Sequence, residues 1–186
     1  MANTVGNVTA GKPKASGSIY RAPLSSTLTL PTDADTALAA AFVCLGYVSD
    51  DGLKNEHKTD ETVKAWGGDT VLLTKTDEFS FTLIESLNPD VLKAVHGDSN
   101  VSGTLANGLT VNVNDGNEEP SAWVIEMLLN ANTLKRIVIP KGKVSDVGEV
   151  VYKDDDAVGY EVTISAGRDD AGNTHYEYLK TVSSGT

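Results

Sequence analysis

The side chains in this sequence that could carry chemistry are three histidines, one cysteine and 26 carboxylates. His57, His96 and His175 stand apart, and none has another His or Cys at the spacing a zinc site uses. His96 closes a short helical pattern, where a partial positive charge suits the helix dipole. Asp50-Asp51 and Asp154-Asp155-Asp156 offer the oxygen ligands that calcium takes. They lack the Asp-x-Asp-x-Asp-Gly spacing and the closing Glu of a calcium loop, so they read as solvated turns. Cys44 is the single cysteine, so no disulfide forms within the chain, and nothing near it in sequence resembles a basic partner for a nucleophile. That usage fits assembly in a reducing compartment. No Gly-rich phosphate loop follows a strand and no Gly-x-Ser-x-Gly elbow occurs. Glu78 and Glu85 have opposite parity on one predicted strand, so they face opposite ways and make no carboxylate pair. The expectation is a protein that is not an enzyme, with no metal and no cofactor.

The elements around these residues begin with the clearest helical pattern in the chain, expected at about 33–45. Thr32 and Asp35 make a start like a capping box, and Ala34, Ala37, Leu38, Ala41, Phe42 and Leu45 recur at i, i+3, i+4, i+7. Gly46 stands where a C-terminal cap belongs. A second, short helix is expected at about 89–96, capped by Asn88, opened by Pro89 and stopped by Gly97. Strands are expected at 58–66, 70–75, 78–85, 109–114, 122–129, 134–139, 149–153, 157–166 and 174–181. Their turns are 67–69, 115–117, 130–132, 141–142, 154–156 and 169–173. Residues 123–129 are apolar on both faces, as in a central buried strand or one covered by a neighbouring subunit.

Charge is uneven along the chain. Residues 1–31 hold Lys12, Lys14 and Arg21 and no acid, so they carry +3, leaving −14 for the rest of a chain whose net charge is −11. Residues 1–30 read as an extended Gly/Ser/Pro arm in which Ser18 to Pro23 could form a short strand. Residues 31–182 read as a single β-rich domain, and 183–186 as a flexible tail. An acidic body disfavours tight binding to nucleic-acid phosphates. No run approaches a membrane span, and the first residues lack a signal-peptide pattern.

In order, the chain gives a basic arm, Ile19-Tyr-Arg-Ala-Pro23, Leu30-Pro-Thr-Asp33, Leu45-Gly-Tyr-Val-Ser-Asp-Asp-Gly-Leu-Lys-Asn55, Trp66-Gly-Gly68 and Phe79-Ser-Phe-Thr-Leu-Ile-Glu85. Trp123, Lys135-Arg-Ile-Val-Ile-Pro140 and Gly148-Glu-Val-Val-Tyr152 follow. This series resembles the major tail (tail tube) proteins of long, non-contractile-tailed bacteriophages. The resemblance implies a mainly β, sandwich or barrel-like subunit with a flanking helix. It implies a virion tail protein, assembled in the host cytoplasm into stacked hexameric rings whose acidic lumen conducts DNA during ejection. The partners it implies are further copies of the chain and the tape measure, tail terminator and distal tail proteins. Genomic DNA would pass without specific binding, and no membrane is involved. Within that picture the inter-subunit arm holds Lys12, Lys14, Tyr20 and Arg21. The inter-ring loop holds Tyr47, Asp50, Asp51 and Lys54, and the lumen-facing acids are Glu61, Asp77, Glu78 and Glu85. The alternatives are a head decoration or tail-terminator subunit, or a carbohydrate- or cell-surface-binding β-sandwich module using Trp66, Trp123 and the tyrosines.

Overall fold

In a computed structural model the described residues are 4–15, 17–64, 70–114, 119–130 and 132–182. Among them the strands are β1 (Gly11–Pro13), β2 (Ile19–Pro23), β3 (Val43–Cys44), β4 (Lys54–Lys64) and β5 (Thr70–Leu83). After the α-helix α1 (Pro89–His96) come β6 (Val101–Thr104), β7 (Gly108–Val111), β8 (Ser121–Leu129), β9 (Thr133–Val147), β10 (Tyr160–Gly167) and β11 (Tyr176–Thr181). The main sheet is antiparallel and runs β3-β2-β8-β9-β10-β5-β4, with β1 continuing along β8 and β11 along β9. β6 and β7 form a separate hairpin. The fold is mainly β, with open sheets in a sandwich-like arrangement.

β9 is the spine. One edge pairs with β8, while the other takes β11 over Thr133 to Val138 and β10 over Lys141 to Val147. The turn expected at 141–142 is absent, because Gly142 does a different job inside the strand. Its carbonyl accepts a hydrogen bond from the Trp123 indole at 3.2 Å. A Cβ there would lie 2.7 Å from Trp123 Cδ1 and 2.8 Å from Ile164 Cγ2, so only glycine lets the strand pass this close. The strands expected at 70–75 and 78–85 merge into β5, since Thr76 and Asp77 sit in the ladder opposite Lys58 and His57. No strand forms at 149–153; that segment is irregular and largely exposed. The turns expected at 67–69 and 115–117, part of the turn at 130–132 and the tail at 183–186 lie outside the described residues.

β8 is buried on both faces by this chain itself. On one face Trp123 and Ile125 join Ile19, Phe79, Phe81, Ile139, Val162 and Ile164, with Val91, Leu92 and Val95 of α1 packed on the same core. On the other, Ala122 and Val124 join Ala22, Val138 and Phe42, covered by Leu28, Leu30, Leu38, Tyr176 and Tyr178.

That second cover corrects the helix expected at about 33–45. Residues 31–42 are bends, turns and irregular backbone, and the segment ends in β3, which pairs with Tyr20 and Arg21. The start signal does work locally: Asp33 Oδ1 accepts from the backbone N–H groups of Asp35 (3.1 Å) and Thr36 (2.7 Å). The turn does not propagate, because a helix advances about 1.5 Å per residue and a strand about 3.3 Å. Drawn out, Leu28 to Phe42 covers the long β2-β8-β9 face; coiled, it would leave part of that face wet. Tertiary cover overrides a propensity supplied mainly by small alanines. The α-helix at Pro89–His96 forms as its caps predict, with Asn88 accepting from Asp90 N–H at 3.0 Å and Gly97 at φ 93°.

Two ion pairs fasten the cover. Arg136, 2% exposed, is hydrogen-bonded through Nε to Glu126 Oε1 at 2.8 Å and donates from Nη1 to the Asp33 carbonyl at 2.9 Å. Lys180 Nζ lies 2.6 Å from Asp35. Breaking one side of a buried pair strands a charge, whereas replacing both sides need not. Arg136→Met is therefore expected to cost about 3–5 kcal/mol. Arg136→Met combined with Glu126→Leu should recover most of that loss in urea unfolding.

Candidate functional site

The register of β5 and β10 defines the two ends of the sheet. Leu83 stands opposite Tyr160 and, six residues back, Asp77 stands opposite Ala166. The ends are thus about 20 Å apart at 3.3 Å per residue.

At the Leu83 end lie the Tyr47 to Gly52 loop and the 148–159 connection. The loop is hung on the sheet by Ser49 N–H to Thr82 O (2.9 Å) and Ile84 N–H to Tyr47 O (3.1 Å). Glu85 accepts from Tyr47 N–H at 3.0 Å and from the Asn88 side chain at 3.0 Å. Tyr47 is 70% exposed, and Asp50 and Asp51 turn outward ahead of Gly52, whose φ of 75° favours glycine. Lys54 is exposed at the start of β4, opposite Ser80. The expected turn at Asp154–Asp156 forms, and Val151 to Ala157 is exposed throughout. Asp156 is held below the usual carboxylate range by hydrogen bonding from Lys153, then by the Ala157 N–H.

The opposite end holds a cleft of about 400 Å³ lined by Lys58, Lys75, Arg168, His57 and His175 around buried Asp77. Asp77 is hydrogen-bonded to His57 and to the Thr174 hydroxyl, and His175 Nδ1 is 3.3 Å from its second oxygen. The two imidazoles stack at 6.1 Å, and Phe79 meets His175 edge-on at 5.1 Å. Burial pushes the Asp77 carboxyl up. The hydrogen bonds from Thr174 and His57 and the charges of both histidines outweigh it, so its pKa lies below the usual value. This cluster was missed in sequence because its members come from β4, β5 and the 168–175 connection. One signal existed: folding the chain about the predicted turn at 67–69 brings His57 close to Asp77, its ladder partner.

The predicted arm residues divide. Lys12 is exposed on β1 and lines a cleft of about 690 Å³ with Asp50 and Asp51 across it. Lys14 is tied to Glu126 at 2.7 Å. Tyr20 and Arg21 belong to β2. Arg21 is buried, holds Asp98 through both terminal nitrogens at 2.8 and 3.0 Å and donates from Nε to Ser121 Oγ at 3.0 Å. Burial first, and then the nearby Cys44, raise the Tyr20 hydroxyl. Of the predicted lumen acids, Glu78 faces away from the core and meets Lys58 at 2.6 Å, while Asp77 and Glu85 have the partners given above. The side chain of Glu61 lies outside the described residues. His96 also differs from expectation: burial lowers its pKa, so the fold favours the neutral ring over a dipole-paired cation.

A subunit whose outward chemistry consists of charged ends, strand edges and exposed loops has the features of an assembling structural protein. The chain matches the family model described as phage tail tube protein over residues 3–183, and it belongs to that family. It is therefore a structural component of a virion tail, in a family that assembles with itself and with other tail proteins. No curated protein matches the chain. Among the described residues no helix is long and apolar enough to cross a membrane.

These shifts set a pH profile. His96 is lowered, so its contribution is complete above about pH 6.5 and is lost as pH falls through its folded value. Asp77 is lowered too, so its contribution is present above about pH 3.9 and disappears as pH falls through its folded value. Asp33, Asp156 and Asp169 share this lower window. Urea midpoints measured against pH should show two declines. His96→Phe should remove the upper one and Asp77→Asn should shrink the lower; an unchanged upper decline in His96→Phe would refute the assignment.

Proposed function

We propose that the protein polymerises into stacked, hexameric rings that form the tail tube, and that the bore conducts DNA during ejection. The observation that carries this reading is the family match across nearly the whole chain, residues 3–183. The fold supports it. Among the described residues β4 and β3 end the main sheet with one ladder edge unpaired, and an unpaired strand edge is a standing invitation to another chain. Ring closure removes that hazard, and head-to-tail contacts between rings build an open stack.

We place the contacts between rings in the N-terminal segment with Lys12 and Lys14, and in the loop with Tyr47, Asp50, Asp51 and Lys54. Residues 4–10 are mainly exposed, with Val5 at 86% and Val8 at 76%, so this segment brings apolar surface as well as charge. Tyr20 and Arg21 anchor its root in the sheet. For the bore, the face of β5 that carries Glu78 is better suited than the core face holding Asp77, and Glu85 lies beyond the strand end. Like charge there repels phosphate and lets DNA slide. The chain's role is scaffolding without catalysis, assembly occurs in the host cytoplasm, and the tape measure, tail terminator and distal tail proteins set length and ends.

The test is negative-stain microscopy of the purified chain across a concentration series, beside a variant lacking residues 1–10. That cut stops short of β1, so the truncated chain should melt as the full chain does. Hollow tubes of uniform width are expected from the full chain and none from the truncated one. Rings that never stack would point instead to a terminator or decoration role, and normal tubes from the truncated chain would sink the assignment of ring contacts to residues 4–10.

A further inference from the structure

Two features of the charge distribution are left over once the fold and the N-terminal segment are accounted for. The Leu83 end of the sheet gathers Asp50, Asp51, Glu149 and Asp154–Asp156 on its exposed loops. In the 148–159 connection four carboxylates face Lys153 as the one cation. Beside them Val151 is 50% and Tyr152 75% exposed, apolar surface that this chain does not cover. The other end has the opposite character in a chain whose net charge is −11. Its cleft presents Lys75 and Arg168, both exposed and neither with an ion-pair partner among the described residues, next to His57 and His175. Among the described side chains the nearby acids are engaged or turned elsewhere. Asp77 is buried against the histidines and Thr174. Asp169 is consumed in its own loop by Tyr176 Oη (2.6 Å) and the N–H groups of Asn173 (2.9 Å) and Ala171 (3.0 Å). Glu78 neutralises Lys58, and Asp170 does not line the cleft.

We propose that the cationic cleft around Lys75 and Arg168 is a docking site for the Asp154–Asp156 turn of a second copy of this chain. The partner is recognised by its chemistry: a short, exposed run of carboxylates on a tight turn, small enough to enter a cleft of about 400 Å³. The geometry supplies the direction. Donor turn and acceptor cleft sit at opposite ends of β10, so one copy offers its acidic end to the cationic end of the next. Such a contact is heterologous and repeats without closing on itself. Complementary charge at this distance also steers encounter and penalises the wrong orientation, in which like ends would meet. The proposal rests on the tube reading and names a pair of surfaces for the contact between rings, separate from the N-terminal segment.

The experiment is a charge swap in the full chain. Lys75→Glu with Arg168→Glu reverses the cleft, and Asp154→Lys with Asp155→Lys reverses the turn. All four positions are exposed, so each variant should melt as the wild type does. Each reversal alone is expected to raise the protein concentration needed for association by about tenfold or more, a change of about 1.4 kcal/mol. Combining all four substitutions in one chain should bring it back to within about threefold of wild type. Mixing the two reversed variants should restore association between them in sedimentation velocity, where each alone stays smaller. That readout does not depend on tubes, so absence of tubes from the wild type counts against the tube reading while the mixing result still decides the docking. Either reversed variant assembling like wild type overturns the proposal, as does a failure of both the combined variant and the mixture to recover. If the turn-reversed variant assembles normally while inorganic phosphate binds the cleft, the cleft is an anion site and not a docking site for the chain.

Discussion

The constraint on which this fold depends is that β8 must be covered on two faces. Val124 and Trp123 point opposite ways and are respectively 0% and 1% exposed. A strand apolar on both sides loses roughly 25 cal/mol for each Å² of apolar surface left in water. Each cover has its own origin. The face of Trp123 and Ile125 is closed by β5, β10 and α1, through long-range pairing in the sheet. The face of Ala122 and Val124 is closed by β2's neighbour in sequence, the irregular stretch from Leu28 to Phe42 laid across it. Much of the rest follows. Ile19–Pro23 must be a strand because it delivers that stretch to the right edge of β8, and β3 must pair with β2 because the stretch returns there.

The polar residues inside this arrangement fix its register. Glu126 and Arg136 stand opposite each other in the β8-β9 ladder, and Arg136 reaches out to the Asp33 carbonyl. Arg21 does the same at the other end of β2, holding Asp98 beyond the C-terminus of α1. Among the described residues no buried side-chain polar atom lacks a partner. A one-residue slip of β8 against β9 would put Arg136 opposite Ile125 or Met127 and Glu126 opposite Lys135 or Ile137, so the buried pair penalises misregister more than it adds net stability.

How much of this was legible depended on range. Asn88, Pro89 and Gly97 specify α1 by contacts within a few residues, and that helix forms where its caps place it. The alternation of Phe79, Phe81 and Leu83 is equally local and gives the inward face of β5. The stretch 33–45 misled because its helical stripe is local while its fate is decided by Val124 and Val138, some ninety residues later in the chain. Gly142 misled for a related reason. Lys-Gly reads as a turn until Trp123 needs the space a side chain would fill. The Asp77 cluster needed a hairpin register and a loop from the end of the chain, neither of which periodicity supplies. Charge asymmetry between the first 31 residues and the rest was visible from counting, but its arrangement on two ends of the sheet was not, since Asp50 and Asp154 meet only through β5 and β10.

That arrangement connects the fold to assembly. Among the described residues the exposed large apolar side chains are scattered: Val5 and Val8 on the N-terminal segment, Tyr47, Val151 and Tyr152 on the loops at one end of the sheet, and Leu24, Val43, Leu87, Leu105, Val113 and Leu179 elsewhere. Strand edges are indifferent to sequence as pairing surfaces, whereas charged ends are not. Edge pairing alone would allow open aggregates in several orientations. In the proposed docking, opposite charge at the two ends of β10 would remove that degeneracy, since like ends repel and unlike ends attract.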